Sequence, residues 1–301
     1  MAVGSIRFIF LGTGTSGGIP IIACDCATCR SDDPRDVRSR QGAALQWVDP
    51  LGRHRTVLID ATPDLRHQAL RHDLQRCDAI LFTHHHADHI FGLDEVRRFN
   101  AVMQAPIDIY AEPATLGHLR RVYPYIFDPE TNENRSFVAT LKTHDLAVGT
   151  PVELFGVRFE PVRLMHGNLP ILGFRIEAAD AAMAASPGAE FLPMAYCTDT
   201  SLIPEEMWGR LGGLRTLVLD GLRYQPHGTH FNVEQACEAA ARIGADQTYL
   251  CHIAHELKHQ EADAALPPGV SLPWDGLVLG DARFTEPRAS MPPANGAFAE
   301  G

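Results

Sequence analysis

The segment Thr83-His84-His85-His86-Ala87-Asp88-His89, entered directly from the apolar run Ile80-Leu81-Phe82, constrains this chain more than any other stretch. A strand that ends in clustered imidazoles and a carboxylate is where a rigid scaffold can aim several side chains at one point. In an extended turn, His84 and His86 share one side, while Asp88 and His89 address a second point close by. Imidazoles suit Zn, Mn or Fe, and a neighbouring carboxylate suits harder ions, so the pattern predicts two metals a few Å apart. The competing reading is a solvated His-rich loop. The HxHxDH spacing after an apolar strand argues against it.

Short β-branched runs bounded by glycine or polar clusters predict strands at Ile6 to Leu11, Ala43 to Val48, Thr56 to Ile59, Ala79 to Phe82 and Ile107 to Tyr110, with two more at 216–219 and 247–251. Helices are expected at Pro63 to Leu74, Pro113 to Val122 and Val233 to Ile243, the last with Ala236, Ala240 and Ile243 on one face. Strands and helices mixed in this order predict layered α/β packing with sheets inside and helices outside. The polar stretch from Tyr125 to Asp145, containing Asp128-Pro129-Glu130-Thr131-Asn132-Glu133-Asn134, reads as a long loop able to cap a pocket. A single hydrolase-sized domain over 1–285 is expected, with 286–301, rich in Pro, Ala and Gly, as a poorly ordered tail.

Two metals need further ligands, and other strand ends supply them. His166 follows the run Phe159 to Met165, Asp199 follows Ala195-Tyr196-Cys197-Thr198, and His252 follows Thr248 to Cys251. Any one of these alone reads equally well as a capping or core residue. Their joint placement favours a shared site.

Taken with Gly12-Thr13-Gly14 and Leu58-Ile59-Asp60, these motifs resemble the ordered signatures of the metallo-beta-lactamase superfamily over roughly residues 5 to 280. The resemblance implies an αββα sandwich, two mixed β-sheets flanked by helices, with a dinuclear site at one sheet edge. It implies that His84, His86 and His166 hold one ion, that Asp88, His89 and His252 hold the other, and that Asp199 bridges them. Asp60 would steady the His loop by hydrogen bonds.

Cys24, Cys26 and Cys29 lie within six residues, so their thiolates can reach one ion, and a tetrahedral structural zinc then needs one more ligand. His255, three residues after His252, can point the other way and supply it. Three buried or free cysteines are the alternative. Cys77, Cys197, Cys237 and Cys251 sit in apolar surroundings and read as packing residues. The CxCxxC loop with Cys251-His252-Ile253-Ala254-His255 resembles the phosphoribosyl 1,2-cyclic phosphate phosphodiesterase group. That resemblance implies one structural zinc, manganese or zinc in the active site, and an extra histidine that assists phosphodiester cleavage. By motif order this is His230 in Gly228-Thr229-His230-Phe231-Asn232, with His227 as its competitor.

The expected reaction is hydrolysis of a small cyclic or nucleotide-like phosphodiester by a hydroxide bridging two divalent ions, with Asp88 and His230 as the catalytic residues. The arginines Arg30, Arg35, Arg38 and Arg40 offer either a contact for a second anionic group or a solvated surface loop. Asp199 where a beta-lactamase places a cysteine disfavours lactams, and a glyoxalase-type thioesterase has no reason for the cysteine loop. A tRNA 3'-end nuclease would bring a basic arm, whereas the formal net charge is -11, which also disfavours general nucleic-acid or membrane binding. A non-hydrolytic pyrroloquinoline-quinone biosynthesis B-type protein also carries the cysteine loop, but that group generally lacks an intact HxHxDH set. The opening apolar run is too short for a signal peptide, and seven cysteines without a secreted framework make a reducing cytoplasm the expected location. Oligomeric state stays open, homodimers being common in the resembled group.

Overall fold

Strand β1, Ile6–Gly12, is apolar on both faces because each face packs on something different. Phe8 and Phe10 enter the space between two sheets, and Ile9 and Leu11 lie beneath helices. In the computed structural model, which describes residues 4–132 and 137–287, this logic builds four layers. The remaining strands are β2 Gly42–Val48, β3 His54–Ile59, β4 Ala79–Leu81, β5 Ile107–Ala111, β6 Leu141–Asp145, β7 Val152–Leu154, β8 Val157–His166, β9 Leu169–Ala178, β10 Met194–Cys197, β11 Thr216–Asp220, β12 Gln247–Cys251, β13 Val270–Ser271 and β14 Val278–Gly280. They form two sheets, in the orders β14-β1-β2-β3-β4-β5-β6 and β13-β12-β11-β10-β9-β8-β7. This is the expected αββα sandwich of mixed sheets.

Leu45, Trp47, Phe159, Phe174 and Tyr196 join Phe8 and Phe10 in the central core. On the outside of the first sheet, helices α1 Leu65–Arg71, α2 Ala87–Ile90, α3 Arg97–Met103 and α4 Pro113–Val122 cover Leu58, Ile80 and Phe82. The short helices α5 Pro124–Phe127 and α6 Ala181–Ala184 follow in the chain. Against the second sheet, α7 Val233–Ile243 and α8 His259–Ala265 bury Ala236, Ala239, Ala240 and Ala262 over Leu217 and Leu219. Helix α7 has a reciprocal capping box, Asn232 with Gln235, and ends at Gly244 in the left-handed conformation.

Strand direction decides where the chemistry can sit. Strands β3 and β4 are parallel, as are β10, β11 and β12, so residues just past their C-terminal ends come out at one edge. Strand β8 runs antiparallel to β9, and β9 antiparallel to β10, so the end of β8 arrives at that edge too.

The Tyr125 to Asp145 reading needs correction. Pro124–Phe127 is a helical turn whose Tyr125, Ile126 and Phe127 pack on the outer core, and Leu141–Asp145 is a strand paired parallel with β5. The strand was hidden because it is a sheet edge: its exposed polar side chains give no alternating apolar signal. Glu133 and Asn134 of that stretch lie outside the described residues. At the other end, Glu286 accepts hydrogen bonds from Thr56 Oγ1 at 2.6 Å and the Gln75 amide at 2.9 Å, so order extends past 285; residues 288–301 lie outside the description. Among the described residues no helix is long and apolar enough to cross a membrane.

Phe10 is fully buried, with its ring 5.1 Å from Phe8 and 5.5 Å from Tyr249. Phe10→Ala is expected to destabilise the fold by about 3–5 kcal/mol in chemical denaturation. A loss below about 1 kcal/mol would contradict a shared central core.

Candidate metal centre

Asp60 follows β3 directly and sits at φ 64, a left-handed conformation that costs an ordinary residue about 1–3 kcal/mol. That geometry turns its carboxylate under the turn that follows β4. There it accepts the Thr83 amide at 2.8 Å, the Thr83 hydroxyl at 2.9 Å and His89 Nδ1–H at 2.7 Å. Because the Thr83 proton goes to Asp60, its oxygen must accept from His84 Nδ1–H, 3.0 Å away. His166 Nδ1–H donates to the Thr229 carbonyl at 2.7 Å. Thus His84 and His166 have their protons on Nδ1 and present Nε2 as a lone pair, and His89 is held by Nδ1 in the same way with Nε2 turned to the carboxylates of Asp88 and Asp199, which is how second-layer groups orient metal-binding imidazoles.

The predicted ligands fall into two groups. One ligand atom each from His84, His86 and His166 lie within 4.8 Å of one another, and the same holds for Asp88, His89, Asp199 and His252. Asp199 also falls within that limit of His166, so it stands between the groups. Its two oxygens lie 3.3 Å from His89 Nε2 and 3.3 Å from His252 Nε2, and Asp88 Oδ2 lies 3.3 and 3.5 Å from the same two nitrogens. Asp199 and His252, like Asp60, are left-handed residues just beyond strands, at φ 56 and 57.

The donor set fits divalent cations. His84 Nε2, His89 Nε2 and both ring nitrogens of His252 are buried and make no hydrogen bond, a state that costs free energy and that a cation bound at the Nε2 atoms would relieve. Burial and the neighbouring His89 hold His84 well below its usual range, and burial also lowers His86 and His166, so this trio is neutral at pH 7. The second group behaves oppositely. Burial opposes charge on His252, but Asp199 and Asp88 override it and raise the imidazole to about 9; Asp199, Asp60 and Asp88 likewise raise His89 well above its usual value. In turn, burial works against Asp88 and Asp199, yet the adjacent imidazoles keep both carboxyls ionised.

The cysteine loop forms a separate site. Cys24, Cys26 and Cys29 Sγ lie 3.3, 3.5 and 3.7 Å from His255 Nδ1. These values bracket the roughly 3.5 Å separation between sulfur and nitrogen that a tetrahedral zinc imposes. The Cys29 amide lowers the Cys26 thiol to about 6, while burial raises Cys29 to about 11. Cys77, Cys197 and Cys251 are buried, with thiols pushed up by burial, and Cys237 is half-buried in α7.

The arginine reading is corrected by the structure. Arg38 is 1% exposed, donating to Ala254 O at 3.2 Å, Leu257 O at 2.7 Å and Asp36 at 3.2 Å. Arg35 pairs with Asp33 and Arg40 with Asp64, so neither a solvated loop nor an open anion contact describes them. Arg30 alone is exposed, 3.7 Å from Asp25. Among Arg35, Arg38 and Arg40, only Arg35 and Arg38 have an acidic partner nearby in sequence, whereas Asp64 and the Ala254 and Leu257 carbonyls reach Arg40 and Arg38 through the fold.

His230, 8% exposed, stacks on His252 at 4.6 Å and meets His166 edge-on at 4.6 Å. Its Nδ1 is 2.6 Å from Asp220 Oδ2. Asp220 was not singled out as a functional residue, although Val218-Leu219-Asp220 has the same ending as Leu58-Ile59-Asp60, a carboxylate closing a buried strand. Thr83 and Thr229 were also passed over, because their contributions are a hydroxyl and a backbone carbonyl.

A Beta-lactamase superfamily domain model matches residues 55–253. An octanoyltransferase of Porphyromonas gingivalis is 35% identical over 274 residues, 90% of this chain and 51% of that protein, so this chain spans about half the length of that relative. Coenzyme PQQ synthesis protein B of Methylorubrum populi is 28% identical over 233 residues, covering 72% of this chain and 73% of that protein. Among solved structures, a diphosphatase from the PhnP family matches with TM-score 0.79 and 38% identity, over 92% of this chain and 97% of that one. Zinc-bound PqqB from Methylobacterium extorquens, at TM-score 0.71 and 20% identity over 91% and 99%, shares the fold.

A raised imidazole must lose its proton before its nitrogen can bind a cation, so binding at the second group releases protons at neutral pH and strengthens as pH rises toward about 9. Binding at the neutral first trio releases none. Calorimetric titration of metal-free protein with Mn²⁺, a hard ion that the thiols of the cysteine loop disfavour, at pH 7 in two buffers of different ionisation enthalpy reads this directly. Equal proton release for both ions would contradict the assignment.

Proposed function

Because the chain belongs to the beta-lactamase superfamily, we propose that it is a metal-dependent hydrolase of phosphodiesters, cyclic or nucleotide-like. In this reading His84, His86 and His166 hold one divalent ion, Asp88, His89 and His252 hold a second, and Asp199 bridges them. Cys24, Cys26, Cys29 and His255 hold a structural zinc. Bound cations lower the pKa of water toward neutrality and neutralise charge growing on phosphoryl oxygens.

The observation that carries the reading is the Asp220–His230 pair beside this constellation. Burial raises the Asp220 carboxyl well above the usual carboxylate range, and burial with the nearby His252 lowers the His230 imidazole to about 4. Both directions describe a neutral pair: the carboxyl O–H donates to Nδ1 across 2.6 Å, and the ring's own proton sits on Nε2. A neutral donor suits a place crowded with cations. His230 Nε2–H then gives its proton to the leaving alkoxide, Nδ1 takes the Asp220 proton, and the pair is left with one negative charge on the buried carboxylate. Such general-acid help is worth about 10²–10⁴ in rate.

The complete HxHxDH set favours hydrolysis over a non-hydrolytic role of the kind considered for PQQ synthesis protein B. The octanoyltransferase name belongs to a protein about twice as long, and phosphoryl chemistry is favoured here by the diphosphatase likeness.

Bis(p-nitrophenyl) phosphate, a 5′-alkyl nucleotide ester, a set of cyclic phosphodiesters and an octanoyl thioester form the test panel for the metal-loaded protein. The phosphodiesters are expected to be cleaved and the thioester left intact. Joint replacement His84→Ala and Asp199→Ala abolishes the activity, and retained hydrolysis would overturn the mechanism.

His230→Ala slows alkoxide-leaving substrates by about 10²–10⁴ and p-nitrophenyl esters much less, since p-nitrophenolate leaves without a proton. Equal losses on both classes would remove His230 from the acid role.

A further inference from the structure

Each candidate cation group draws ligands from both sheets. His84, His86, Asp88 and His89 follow β4 of the first sheet, whereas His166 closes β8, and Asp199 and His252 follow β10 and β12 of the second. Whatever fixes one sheet on the other at this edge therefore fixes the ligand cage.

Beside the first trio the fixing is done by backbone. Leu172 N–H of β9 donates to Thr83 O at 3.0 Å, one residue from His84. Beside His252 it is done by a side chain. Gln41, 1% exposed and immediately before β2, accepts the His252 amide proton on Oε1 at 3.2 Å and donates from Nε2 to the Tyr196 hydroxyl oxygen at 2.8 Å. A backbone N–H can only donate, so the orientation of the carboxamide is fixed by its partners. Tyr196, on β10 and fully buried, keeps it from turning.

His252 needs that hold. It sits at φ 57 just past β12, in a left-handed conformation that a residue other than glycine keeps only when its surroundings impose it. The next bond along, Ile253 N–H to Thr13 O at 2.9 Å, secures the chain after the turn. Gln41 secures the turn residue itself. Without an acceptor at position 41 the buried His252 amide is left unpaired, and that loss favours a backbone relaxed away from the left-handed conformation. The ring follows its backbone, carrying Nε2 from its place 3.3 Å from Asp199 and 3.5 Å from Asp88.

We propose that Gln41 is a positioning residue for the second cation: reaching from one sheet to the other, it holds His252 toward Asp88, His89 and Asp199, and so sets the affinity of that group without touching the ion. The proposal rests on the two-cation part of the hydrolase reading and is independent of which ester is cleaved.

Calorimetric titration with Mn²⁺, which the thiols of the cysteine loop disfavour, tests it in two backgrounds. His166→Ala removes a ligand of the first ion, and His252→Ala removes the ligand that Gln41 is argued to hold. Gln41→Met, similar in length but without polar atoms, is expected to weaken the ion remaining in the His166→Ala protein about tenfold and to change the ion remaining in the His252→Ala protein less than twofold. Gln41→Glu keeps an acceptor for the His252 amide and recovers most of the loss. Tyr196→Phe leaves that acceptor in place but free to turn, and gives a loss of about threefold with the same dependence on background. In the otherwise native protein at two equivalents of Mn²⁺, electron paramagnetic resonance shows a spin-coupled pair, and Gln41→Met shows the signal of isolated ions. Equal weakening in both backgrounds makes Gln41 a general packing residue and overturns the proposal, as does undiminished binding in the His166→Ala background by both Gln41→Met and Tyr196→Phe. If Gln41→Met does not fold, Tyr196→Phe and Gln41→Glu decide by the same comparison. The expected split in Mn²⁺ affinity without cleavage of any phosphodiester would overturn the phosphodiesterase reading alone.

Discussion

The carboxylate of Asp60 holds the site together. It sits just past the end of β3 in a strained left-handed conformation, and from there it accepts both the amide and hydroxyl of Thr83 and the Nδ1 proton of His89. Through Thr83 it also dictates the tautomer of His84. One buried oxygen thereby sets the direction of two imidazoles that belong to different candidate cation sites. The parallel pairing of β3 with β4, Ile59 opposite Leu81, brings Asp60 beside Thr83 in the first place. Without that register the histidines would be a flexible polar turn.

Charge explains why the edge is built with both acids and imidazoles. Asp88 and Asp199 stay ionised despite burial because His89 and His252 supply positive charge, and those imidazoles are raised for the same reason. A divalent cation meets the same demand and leaves the imidazoles neutral. His84, His86 and His166 have no such partner in excess, so burial keeps them uncharged and ready to bind. The two halves of one site thus differ in how strongly protons compete, although their histidines come from one short motif.

The layered fold was legible because the central strands are apolar on both faces and bounded by glycine or polar residues. Strand β6 was not, since an edge strand exposed on its polar side chains looks like a loop. The residues assigned as ligands were legible because each stands just past an apolar run, and strand direction brings those ends together. Not legible were roles that reside in geometry: Asp220 hydrogen-bonded to His230, Thr83 relaying a tautomer, and the Thr229 carbonyl. The surroundings of the arginines near the cysteine loop are illegible for a related reason. A run of charge in sequence says nothing about whether Arg38 turns inward, and it is buried because two carbonyls and Asp36 replace its hydration.

Arg38 also joins the two candidate cation sites mechanically. It clamps Ala254 and Leu257, on either side of His255, while Asp36 accepts the His259 amide at 2.7 Å. On the other flank Gly14 bridges Arg40 and Ile253, and Ile253 N–H donates to Thr13 O at 2.9 Å. Upstream, Gly12 permits the approach, because a Cβ there would stand 2.0 Å from the Arg40 carbonyl oxygen. The segment 252–255 is therefore gripped along its length, with His252 facing the dinuclear constellation and His255 facing the thiols. The three thiols already stand 3.3–3.7 Å from His255 Nδ1, so the loop from Ile21 to Cys29 packs against the same segment that carries His252. The cysteine loop and the Asp88, His89, Asp199 and His252 group are thereby tied to one another through four residues of backbone.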